Sequence, residues 1–89
     1  MRKVGCVIHD AKEDTYSAPV FYDSVADAVF EFCKAIDGDN LEMSERPADF
    51  NLFQIGFWDD KKFRLIISRS LLFVGRKAAD VISHLSDVQ

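Results

Sequence analysis

Four glycines, two prolines and two cysteines in 89 residues leave little material for several kinds of chemistry. No glycine-rich phosphate turn, P-loop or G-x-S-x-G elbow is present. Nucleophilic catalysis needs an activated Ser or Cys beside a base, and no local motif supplies one, so no enzymatic activity is expected. Cys6 and Cys33 fall on apolar positions of an expected strand and an expected helix. They read as small core hydrophobes rather than a disulfide framework. His9, His84, Cys6 and Cys33 show neither C-x-x-C nor H-x-x-x-H spacing, so neither a metal nor a cofactor is expected. Asp59-Asp60 has the charge for a divalent cation, but a hairpin turn explains the pair with nothing added. No apolar run approaches the roughly 18 residues of a membrane span. Met1-Arg2-Lys3 leads directly into a strand-like stretch, unlike a signal peptide. The expectation is a soluble protein of a reducing compartment, with no membrane partner.

What the chain does have is apolar material. Hydrophobic residues make up 48% of it and aromatics 12%, enough for a core, so residues 1–89 are expected to form one domain. A domain this small exposes much of its surface, and a homodimer is a natural way to gain stability.

The net charge of −4 hides a strong asymmetry. Residues 1–60 carry five basic and thirteen acidic side chains. Lys61, Lys62, Arg64, Arg69, Arg76 and Lys77 then follow with no acid among them. More than half of the positive charge therefore lies in one short segment.

Hydrophobic periodicity places the elements. Val4, Cys6 and Ile8 alternate with other residues in a first strand ending near His9. Tyr16 to Tyr22 suits a short edge strand, where Pro19 is tolerated. Ser24 is the expected N-cap of a helix striped by Val25, Val29, Phe32, Cys33 and Ile36, with Asp27 in its first turn and Gly38 as its stop. Residues 39–49 read as an acidic loop. The segment from Phe50 to Trp58 is apolar on both faces and is expected to be central. A hairpin turn over 59–62 leads to a partner strand from Phe63 to Ser68, extended by Leu71–Val74. Gly75 breaks the pattern, and Ala78, Val81, Ile82, Leu85 and Val88 stripe a final helix, with His84 near its end. The expected fold is α+β, an antiparallel sheet of three to four strands with two helices on one face, in the order β-(β)-α-β-β-α.

Strand alternation puts Lys62 and Arg64 on one face, with Phe63 and Leu65 on the other. Arg76 and Lys77 lie just before or within the first turn of the final helix, where backbone N–H groups and two cations can converge on a phosphate. Trp58 is available to stack on a base, as single-strand binders require. Lys62, Arg64, Arg69, Arg76, Lys77 and Trp58 are thus the candidate nucleic-acid-binding residues. Charge alone is equally compatible with docking on an acidic protein surface, including residues 39–49 of a second copy.

Two stretches carry a family resemblance. Ile8-His9-Asp10-Ala11-Lys12, followed by Tyr16, Pro19 and Phe21, resembles the opening of the small nonstructural protein of gokushovirus-type microviruses, single-stranded DNA bacteriophages. Arg46-Pro47-Ala48-Asp49-Phe50 and the run through Leu52-Phe53, Gly56 and Asp59-Asp60 is similar to that family's most recognisable segment. Arg46 and Ala48 stand where the family often has His and Glu. Phe30 replaces a frequent Arg, and Lys61-Lys62 replace a Gly after the acidic turn. The resemblance implies a DNA-binding role in genome replication or packaging, in the cytoplasm of an infected bacterium, with single-stranded DNA as partner. With the helical Arg absent, residues 61–77 are the substitute contact surface. The alternative is a homodimeric interaction module that engages a phage or host replication protein without touching DNA.

Overall fold

The computed structural model describes residues 2–77. The order is β1 (Arg2–Asp10), β2 (Thr15–Tyr16), β3 (Val20–Tyr22), α1 (Val25–Lys34), α2 (Leu41–Glu45), β4 (Phe50–Asp59) and β5 (Arg64–Val74). All pairings are antiparallel, with β4 between β1 and β5, and β2 and β3 sharing the outer edge of β1. The α+β class and the antiparallel sheet expected from sequence are both present, and β4 is central. The final helix expected over residues 78–88, and His84 with it, lies outside the described residues.

The broken outer edge follows from its sequence. Pro19 cannot donate to a ladder, and the edge splits around it. Ser17 repairs the gap: its N–H donates to the Ile8 carbonyl at 2.9 Å, and its hydroxyl accepts the Ile8 N–H at 2.8 Å. On α1, Ser24 is the N-cap, its hydroxyl accepting the Asp27 N–H at 3.1 Å. The helix gives way after Lys34 to a wide turn, Ala35–Asp39, in which Gly38 takes the left-handed φ of 135°. Ala28, Phe32 and Ile36 are buried against Val4, Cys6 and Leu52 of the sheet. Val25, counted in the expected stripe, is exposed, and Ala28 takes its place in the core. Burial raises the pKa of the Cys6 thiol, keeping it neutral in the core.

Residues 39–49 are not a loop. Asn40 caps α2 by accepting the Met43 N–H at 3.1 Å, Met43 is buried, and a 3-10 turn over Pro47–Asp49 leads into β4. An apolar residue among acids was enough to anchor one turn of helix. Through Met43, α2 joins α1 on the covered face.

β4 also departs from simple alternation. Its register against β1 slips between Cys6↔Gln54 and Gly5↔Gly56, leaving Ile55 as the extra residue of a bulge. Leu52 and Gln54 face the helices, but beyond the bulge Phe57 opposes the buried Val4 and packs on the same core. Gly56 and Trp58 thereby turn to the other face. A side chain at Gly56, where φ is 155°, would collide with the Ile66 carbonyl, so glycine is required where β4 and β5 approach. Gln54, nearly buried, donates to the Ser68 carbonyl at 3.2 Å.

Candidate nucleic-acid interface

β5 is an edge strand: β4 pairs with one side, and among the described residues nothing pairs with the other. Lys61 and Lys62 lie in the hairpin loop, Arg64 opens the strand, Arg69 sits within it, and Arg76 and Lys77 follow its end. At about 3.4 Å per residue, the strand draws this series out over some tens of ångströms. The candidate cations are spread along this edge and not clustered: register sets Arg64 opposite Asp59 on the side of Phe57, whereas Arg69 lies over Phe53 on the other face. Trp58, Lys62 and Arg64 share the hairpin end, Arg69 stands midway, and Arg76 with Lys77 mark the far end. All six cations are exposed, and among the described residues none is in an ion pair with a carboxylate.

The hairpin end is built by Asp59. Its carboxylate accepts the N–H of Lys61 at 3.1 Å and of Lys62 at 3.2 Å. Burial pushes its pKa up, but those two N–H groups hold it below the ordinary value. Phe63 completes the reversal with a positive φ of 50°, so the strand starts at Arg64 rather than at the expected Phe63. The expected opposition of Lys62 and Phe63 across a strand is thereby lost, because both belong to the turn. Phe63 is 85% exposed and meets Trp58 edge to face, with ring centroids 5.3 Å apart. Trp58 is half-buried beside Phe63 and opposite Leu65 on β5.

The sheet face away from α1 and α2 is largely apolar. Val7, Phe53 and Leu71 occupy successive strands in register across it, with Ile67 further along β5. Ile67 is 73% exposed. Arg69 lies over the Phe53 ring at 5.2 Å. His9 stacks on Tyr16, with centroids 4.4 Å apart and planes at 25°, and its Nε2 lies 3.0 Å from Asp14. That β4 is apolar on both faces was expected; which aromatics share this face was not, because the bulge at Ile55 decides it.

Arg46 behaves quite differently from the β5 cations. Its guanidinium donates to Glu42 at 2.6 Å, Asp49 at 2.9 Å and Asp10 at 3.2 Å, and lies 5.0 Å over the Phe50 ring. The Arg46 bond holds the Asp10 carboxyl below its usual pKa against the opposing effect of burial, and the N–H groups of Glu13 and Lys12 assist. Ala11 N–H donates to the Asp49 carbonyl at 2.8 Å. The two stretches that carry the family resemblance are therefore clasped together around Arg46. Glu42 and Asp49 are consumed in that clasp, which weakens residues 39–49 as an acidic counter-surface for the basic strand.

Among the described residues there is no grouping of three or more His, Cys, Asp or Glu suited to a metal ion. Nor is any described helix long and apolar enough to cross a membrane. What the basic strand can do chemically is contact phosphates along an extended backbone. A family model described as phage ORF5 protein matches residues 3–76. No curated protein and no solved structure matches the chain.

Proposed function

This chain belongs to the phage ORF5 protein family, and from that premise we propose that it is a nonstructural DNA-binding protein of a microvirus of the gokushovirus type. It acts without catalysis in the cytoplasm of the infected bacterium and binds single-stranded DNA during genome replication or packaging. The observation that carries this reading is the series of six exposed cations from the hairpin to the far end of β5, none of them in an ion pair among the described residues, beside an apolar sheet face. Phosphate contacts release condensed counterions locally, so an acidic protein can bind DNA through one basic edge. Lys62, Arg64, Arg69, Arg76 and Lys77 supply the phosphate contacts, and Trp58 with Phe63 offers an aromatic surface at the hairpin end.

The test is titration of a labelled single strand and its duplex at low salt, against the wild type and Arg76→Glu/Lys77→Glu. Tight single-strand binding, lost in the double variant while the melting temperature holds, is the expected result. Unchanged affinity in that variant overturns the assignment of the site.

One observation favours a second reading. Leu65, Ile67 and Leu71 expose apolar side chains on the edge strand, as the contact surface of a homodimer or of an adaptor for a phage or host replication protein would. Salt-sensitive self-association without DNA affinity selects that reading.

A further inference from the structure

A basic edge binds any polyanion, and duplex DNA presents the denser charge, so β5 alone gives no preference for a single strand. The open sheet face contains a feature that would. A groove of about 360 Å³ beside β5 is lined by Val7, Tyr16, Phe53, Ile55, Ile67 and Arg69. Resting on the nucleic-acid reading above, we propose that this groove receives one unpaired nucleobase, with Arg69 on the adjoining phosphate.

The groove's size falls in the range, roughly 300–1,000 Å³, of sites that enclose small ligands. Its lining is almost wholly apolar. The Ser17 hydroxyl, which also borders it, is occupied: it accepts the Ile8 N–H and donates to the Ala18 carbonyl. The polar groups left for a ligand are the Tyr16 hydroxyl and the Arg69 guanidinium. Such a site grips a planar apolar body and one anion, and reads little of the hydrogen-bonding pattern on the body's edge. That is the chemistry of base stacking without sequence preference.

Both side chains are held in place before any ligand arrives. Tyr16 is backed by the stacked His9 ring, which also meets Phe53 edge-on with centroids 6.1 Å apart. Arg69 is laid over Phe53. Arg69 stands midway along β5 and borders the groove, so a backbone tracking that edge passes the groove with a phosphate within its reach. An aliphatic occupant would leave the guanidinium without an anion, whereas a nucleotide supplies a flat ring and a phosphate together. A base paired within a duplex cannot enter. The groove therefore accounts for discrimination and the edge strand for charge.

The test compares three labelled ligands of equal length on the full chain: a normal single strand, the same strand with its bases removed, and the duplex. Tyr16→Ala and Ile67→Gln are the variants, since both positions are more than half exposed and neither changes charge; thermal melting verifies their folds. Loss of one stacked base is expected to weaken single-strand binding about tenfold in either variant, with duplex affinity unchanged. The wild type is expected to bind the baseless strand about tenfold more weakly than the normal one. Equal affinity for normal and baseless strands overturns the groove assignment and leaves the basic edge standing. Absence of binding to all three ligands at low salt overturns both. A concentration-dependent dimer that Ile67→Gln dissolves, with no effect of removing the bases, assigns the groove to a second copy instead and overturns the proposal.

Discussion

Arg46 and the arginines of the basic segment 61–77 have the same side chain and opposite situations. Arg46 sits among Asp10, Glu42 and Asp49 and donates to all three. Arg64, Arg69 and Arg76 are exposed, and among the described residues none forms an ion pair, although Asp59 stands across the ladder from Arg64. A guanidinium already committed to three acceptors, joining segments far apart in the chain, holds structure. One whose donors remain open holds potential for a partner. Charge bookkeeping by segment does not separate the two; the distinction needs the acids that surround each cation.

The largest expected effect is on affinity: Arg64→Glu/Arg69→Glu should weaken single-strand binding at low salt by about two orders of magnitude, through lost and reversed phosphate contacts. Its melting temperature should stay close to that of the wild type, because among the described residues those side chains are exposed and in no ion pair, and Arg69 only lies over Phe53. Arg46→Ala should do the reverse, lowering the melting temperature markedly while the folded fraction binds DNA with unchanged affinity. The reason is that truncation leaves Asp10, only 9% exposed, without its guanidinium partner.

A smaller effect concerns acid. The folded-state pKa of Asp10 is depressed, so its contribution to stability is present above the unfolded value of about 3.9. That contribution is lost as the pH falls through the lower folded value. Urea melts of the wild type from neutral pH downward should lose stability through that window, and Arg46→Ala should flatten the dependence. The smallest effect is that of Lys62→Gln. Its backbone N–H, not its side chain, builds the turn, so stability should not change, while the slope of log affinity against log salt should fall by about 0.7.

Much of this was legible in the sequence where one residue type has one local use. Ser24 and Gly38 bracket α1 because a hydroxyl cap and a left-handed glycine act within a few residues. The β4–β5 hairpin was visible from two apolar runs about a polar tetrad. The clasp was not, since Arg46 finds Asp10 across 36 positions and nothing local marks the pair. α2 was hidden because its stability comes from burying Met43 and from Asn40, in a segment whose composition reads as a loop. The open face was misassigned for a different reason. A single bulge residue, Ile55, moves Gly56 and Trp58 to the side of Phe53, and alternation has no means of registering one extra residue. Of the candidate residues, the six named for nucleic acid were legible as charge and aromaticity. Tyr16 and Phe53 were not legible as a site, because the sheet alone brings them beside Arg69.

The most direct test of the division between a structural and a binding arginine is the salt dependence of single-strand affinity, measured by anisotropy for the wild type, Arg46→Ala and Arg64→Glu/Arg69→Glu. The account predicts parallel, steep lines for the wild type and Arg46→Ala, with a shallower, weaker line for the β5 variant. A β5 variant that follows the wild-type line, or an Arg46→Ala protein that is folded and yet loses the slope, would contradict it.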